Sequence, residues 1–175
     1  MMKILASNSI SFKKRMIELL FDYLFILAYL ALLFLCSMLF YIILFNGTPE
    51  FTEIQSQCLV FFTSVLPITL LFTFLDYTKN GSFGKAKAGL QLVYKKKTVQ
   101  SSLIRNAIKF LPWQIGHMSA IHSVYSGFDL LYFILCYTSI LFLVVLLAMS
   151  IFRKDKRHLG DLIAHTQVQL KGDFS

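Results

Sequence analysis

The sequence predicts an all-α polytopic membrane protein: a four-helix transmembrane bundle with a small cytoplasmic helix-strand element. Three observations lead there. Of 175 residues, 57% are hydrophobic and 15% charged, too apolar for a soluble globule of ordinary composition. Tyr23 to Phe45, Leu59 to Leu75 and Leu130 to Phe152 carry no charge, and each approaches the roughly 17 to 25 residues that a helix needs to cross a bilayer. Their apolarity is continuous rather than alternating, which favours helices over a barrel. The chain reads as one membrane domain, residues 1–175, with spans over 16–45, 59–76, 105–125 and 130–152. A cytoplasmic loop covers 77–104 and a cytoplasmic tail 153–175.

The first span follows Lys13, Lys14 and Arg15. Its apolar run exceeds the roughly 7 to 15 residues of a cleaved signal peptide's core, so it reads as a retained anchor. Cys36, Cys58 and Cys136 are widely spaced, which excludes a CxxC pair and a zinc knuckle and leaves them as apolar packing.

The fourth span is argued from charge. Lys and Arg crowd residues 3–15, 79–109 and the tail from Arg153, whereas Asn46 to Cys58 holds only Glu50 and Glu53. The positive-inside rule then places both termini and the central loop in the cytoplasm. Three crossings would strand the basic tail outside, so "LIRNAIKFLPWQIGHMSAIHSVY" is expected to cross, with Pro112 and Gly116 breaking or kinking it in mid-membrane. The alternative is an amphipathic helix on the inner leaflet, with Arg105 and Lys109 among the headgroups and Trp113 as an interfacial anchor.

After the second span, Ser82 can cap a short helix that Gly89 ends, and "LQLVY" alternates like a strand. "SFGKAKAGLQL" and "HLGDLIAHTQV" match at Phe83 and Leu159, Gly84 and Gly160, Ala88 and Ala164, and Gln91 and Gln167. Two same-orientation halves are therefore expected, each a helical hairpin followed by a short helix and a strand, with the two strands paired. "GSFGK" is not a phosphate loop, because a Walker loop needs four residues between its glycines and a Ser or Thr after the Lys. Gly84 reads instead as a place of close packing.

Arg15, Glu18 and Asp22 are spaced three and seven residues apart and share one helix face, as do His158, Asp161 and His165 in the tail. Histidines seven apart on a helix lie about 10 Å apart along its axis, which argues against a shared metal. Topology places Asp76, Lys85 and Arg105 at the same inner boundary. Arg15 is expected to fork onto Asp22 or Asp161, the other carboxylate finding Arg105, Lys85 or His158. The cluster is either a structural clamp or a site that binds and releases a cation or proton.

"RMIELLFD", "FGKAKAGLQLV", "RNAIKFLPW" and "RHLGDLIAHTQV" together resemble the RDD family of bacterial membrane proteins, over most of the chain. The resemblance implies Arg15, Asp22 and Asp161 as the family's Arg and two Asp. It implies a bacterial cytoplasmic membrane and a largely undefined function, with ion transport suggested for some members. His165 stands where family members usually have Gly.

Two functions follow as expectations. One is small cation or proton transport through the Arg/Asp cluster, with His158 as a relay; it requires an oligomer or a membrane-protein partner around four thin helices. The other is a non-catalytic scaffold or accessory subunit that binds a partner protein or anionic lipid through Lys95, Lys96, Lys97, Arg153, Lys154 and Arg157. No nucleophile-base set points to an enzyme, and nothing calls for a cofactor. The +8 net charge flanks membrane spans and signals topology rather than nucleic acid.

Overall fold

The computed structural model describes residues 10–47 and 49–172. The basic stretch that starts at residue 3 and the end of the tail therefore lie partly outside the described residues. Among the described residues, three helices are long and apolar enough to cross a membrane: Phe12–Phe45, Glu53–Lys79 and Leu130–Phe152.

Helix α1 (Phe12–Phe45) begins at Ser11, whose hydroxyl caps the Lys14 N–H. Its 34 residues rise about 51 Å, well beyond a hydrocarbon core of about 30 Å. Arg15, Glu18 and Asp22 thus sit in its opening turns, below the part needed to span.

The second long helix is α2 (Glu53–Val60), a π-helical turn (Phe61–Val65) and α3 (Leu66–Lys79) in continuous succession. Pro67 explains its irregular middle. It has no N–H to give the Thr63 carbonyl one turn back, and Tyr29 of α1 donates its hydroxyl to that carbonyl instead. Such repair by a neighbouring helix is what permits proline at membrane depth.

Helix α4 (Phe83–Lys87) and strand β1 (Leu90–Tyr94) follow. Helix α5 (Val99–Ser126) leads into α6 (Leu130–Phe152), and helix α7 (Leu159–Ile163) with strand β2 (Thr166–Leu170) ends the described chain. The strands pair antiparallel, Leu90 opposite Leu170 and Tyr94 opposite Thr166. Leu90, Leu92, Tyr94 and Val168 form a small core with Ile10 and Ala88.

Of the expected break or kink, α5 shows no break. It stays helical through Pro112, and Ser139 of α6 donates its hydroxyl to the Pro112 carbonyl at 2.7 Å. Gly116 faces the same serine, whose Oγ would lie 3.0 Å from an added Cβ. α5 also lies antiparallel to the second long helix from end to end. Arg105 meets Asp76 at one end, Phe110 meets Phe72 inside, and His122 meets Glu53 at the other. At that far end His122 also meets Asp129.

Candidate functional site: a closed charge network

The first turns of α1, the end of α3, the start of α5 and the two short helices converge on one buried set of charges. Glu18 receives Arg15 Nη1 at 2.8 Å and lies 3.5 Å from Lys85 Nζ. Asp76 takes Lys85 at 3.4 Å, Arg105 Nη1 at 2.7 Å and Asn106 Nδ2 at 3.0 Å. Arg105 Nε donates to Asp161 at 2.7 Å, and Thr166 donates its hydroxyl to the same oxygen. Asp22 accepts Lys109 at 3.2 Å, the Ser82 hydroxyl and the Gly84 N–H. Lys85, Asp76 and Asp161 are fully buried.

Charges in such a setting persist only when paired and hydrogen-bonded. Here Arg15, Lys85, Arg105 and Lys109 face Glu18, Asp22, Asp76 and Asp161, so the network balances. Of the predicted site residues, Arg15, Glu18, Asp22, Asp76, Lys85, Arg105, His158 and Asp161 do come together.

The pairing differs from the expected one. Arg15 forks onto neither Asp22 nor Asp161; it holds Glu18 and donates to the Lys156 carbonyl. One helical turn nearer in sequence, Glu18 wins it, while Asp22 is turned toward α4 and Lys109. His165 is exposed, outside the cluster, with a left-handed backbone (φ 53°) at the end of α7. Arg157 is not a free surface cation: its guanidinium donates to the Thr166 and Asp161 carbonyls and ties α7 to β2. Lys95, Lys96, Lys97, Arg153 and Lys154 are exposed, though Lys97 reaches Asn80 and Arg153 pairs with Asp155. Lys109 and Asn106 were missed as network members; the run Arg105, Asn106, Lys109 is the signal, since positions i and i+4 share a face.

The short helices dock through glycine. A Cβ on Gly84 would lie 2.1 Å from the Glu18 carbonyl oxygen, and one on Gly160 would lie 2.8 Å from that of Arg105. Only a hydrogen fits at these contacts. At α7, His158 and Asp161 form a reciprocal cap: His158 Nδ1 accepts the Gly160 N–H, and Asp161 Oδ2 accepts the His158 N–H. With Nδ1 an acceptor, the ring proton of neutral His158 belongs on Nε2, 3.3 Å from Asp161. Burial, with Arg105, Lys109 and Arg15 nearby, pulls the His158 pKa down to about 4, against the pull of Asp161. Burial would raise Asp161, but the charge and hydrogen bond of Arg105 outweigh it and hold the carboxylate well below its usual range.

The RDD family model matches residues 10–165. The chain belongs to the RDD family. No curated protein and no solved structure matches it. The family match spans the whole charge network, from Arg15 to Asp161. Beside that network this RDD chain also carries a cavity of about 620 Å³ between α1, α5 and α6, with Arg15, Glu18, Asp22, Arg105, Lys109 and His158 at one end.

Proposed function

We propose that this RDD protein is a non-catalytic scaffold or accessory subunit of a bacterial cytoplasmic membrane, with both termini inside. The observation that carries this reading is the closed balance of the network. Each of its four carboxylates is held by a protein cation, so none is vacant for a transported one. Stripping one partner from a buried pair costs about 3 to 5 kcal/mol, and such a network acts as a clamp. It fastens α4, α7 and the β1–β2 sheet to the helix ends, and the exposed Lys95, Lys96, Lys97, Arg153 and Lys154 are available to a partner protein or an anionic leaflet.

In this reading α5 is a fourth crossing. The support is its end-to-end contact with Glu53–Lys79, which an interfacial helix lying flat would not make. The chain is also two repeated halves in this reading, supported by the matched α4–β1 and α7–β2 units and their pairing.

Cation or proton exchange is a second reading, favoured by the cavity that has Asp22 and His158 at its end. Flux measurements on reconstituted liposomes separate the two. The scaffold gives no pH or cation flux with either wild type or Asp22→Asn, and a membrane partner co-purifies. Flux in wild type that Asp22→Asn abolishes while insertion persists would overturn the scaffold.

A further inference from the structure

The cavity beside the network has a shape and polarity that the clamp does not explain. Its walls are apolar: Leu27 and Leu30 of α1, Trp113 of α5, Leu143 and Leu147 of α6. From Arg15 to Leu30 the α1 wall rises about 22 Å, so the cavity runs from the charged end deep into the span. Leu27 and Leu143 are 42% and 49% exposed, and both belong to helices able to cross a membrane. The opening between α1 and α6 therefore faces lipid, and the molecules that can fill it laterally are those of the bilayer. A volume of about 620 Å³ lies within the roughly 300 to 1,000 Å³ of ordinary ligand sites.

The charged end sets the headgroup. Its lining holds three cations, Arg15, Arg105 and Lys109, against two carboxylates, Glu18 and Asp22, with His158 neutral. The balancing acids, Asp76 and Asp161, are fully buried behind it. The surface that meets the cavity is thus net positive although the whole network is neutral. Arg15 is 6% exposed and its Nε has no hydrogen-bond partner among the described residues. Lys109 keeps a 20% exposed side chain and is the most accessible cation there.

We infer that this cavity is a binding site for an anionic phospholipid of the leaflet nearest the β1–β2 sheet. One acyl chain lies between α1 and α6, and the phosphate meets Lys109 and Arg15. The inference does not depend on whether the protein is a scaffold or an exchanger, and the site is separate from the exposed lysines of the central loop. A bound lipid would also join α1 to α6, which the protein's own network does not do directly.

Native mass spectrometry of the full chain, released from nanodiscs of phosphatidylglycerol or phosphatidylcholine, tests it. The expected result is one retained phosphatidylglycerol per chain, preferred about thirtyfold over phosphatidylcholine, as two cations at an anionic headgroup imply. Leu147→Trp fills the apolar wall without touching the network and should abolish that retention. The triple change of Lys95, Lys96 and Lys97 to Gln should leave it intact. Equal retention of the two lipids overturns the inference. So does retention that survives Leu147→Trp or is lost in the triple variant, which would place the lipid on the basic surface.

Discussion

In the proposed reading of the chain as two repeated halves, the halves use one plan with opposite charges. In the first, α1 starts at a Ser11 cap, and Glu18 and Asp22 follow; in the second, α5 starts at a Thr98 cap, and Arg105 and Lys109 follow at the same spacing. The short helices show the same reversal. Lys85 of α4 meets Glu18, and Asp161 of α7 meets Arg105. Each half therefore docks its short helix by a glycine against the backbone of its opening helix and by an ion pair beside it, acid and base exchanged. Like charges at equivalent positions would repel across the junction. Opposite ones let Asp22 pair with Lys109, and Asp76 serve both Lys85 and Arg105. The reversal also explains the caps. Asp22 can receive the Gly84 N–H of α4 from another helix, but Lys109 has no acceptor to offer, and α7 supplies its own from Asp161 and His158.

The strongest way to break this arrangement is at its shared centre. Arg105→Leu leaves Asp76 with Lys85 and the Asn106 amide and Asp161 without its guanidinium, and is expected to cost about 3 to 5 kcal/mol. Loss of the folded, monodisperse protein in detergent on heating would report it. Next come the glycines. Gly84→Ala should cost about 1 to 3 kcal/mol, and more than Gly160→Ala, because its Cβ would sit deeper against backbone. Equal thermal shifts would say that the two dockings are not graded as the contacts are.

His158 sharpens the comparison by pH, since the short helix of the first half is capped by Ser82 and Asp22 and not by a histidine. Its folded pKa, about 4, lies below the ordinary value near 6.5. Unfolded chains therefore take up a proton first as pH falls. The stability that His158 contributes is whole above about pH 6.5, declines below it and is gone near pH 4. Asp161, also held low, adds a loss in the same direction at more acid pH. His158→Asn puts an amide oxygen in place of the capping Nδ1 and cannot titrate, so the midpoint of unfolding should vary less between pH 6.5 and pH 4 than in wild type. The smallest effect is at the turn that follows each short helix. Gly89 and His165 both have positive φ, 68° and 53°, a conformation that costs a side-chain-bearing residue about 1 kcal/mol. His165→Gly should stabilise the protein by up to about that amount in the same thermal assay.

Much of the fold was legible because apolar runs report membrane depth directly. α6 matches its charge-free run end to end, and Ser82, Gly89 and the alternating "LQLVY" announced α4 and β1. The network was legible as a list of residues but not as a set of pairs. Helical spacing puts Arg15, Glu18 and Asp22 on one face, yet which partner each takes depends on how α4 and α5 approach that face. Lys109 escaped notice for the same reason, reading equally well as a headgroup anchor. Pro112 suggested a break because the Ser139 that takes its carbonyl lies on another helix. His165 and Arg157 were misplaced by a pattern that continued α7 beyond its last turn at Ile163 and left Arg157 on an open tail.

The link between the halves can be measured directly at Asp22 and Lys109. Unfolding of wild type, Asp22→Asn, Lys109→Met and the double variant, in one detergent, gives the coupling between the two side chains. If opposite charges clamp the halves together, the double variant loses less stability than the single losses summed, by about 1 kcal/mol or more. Strictly additive losses would contradict the clamp.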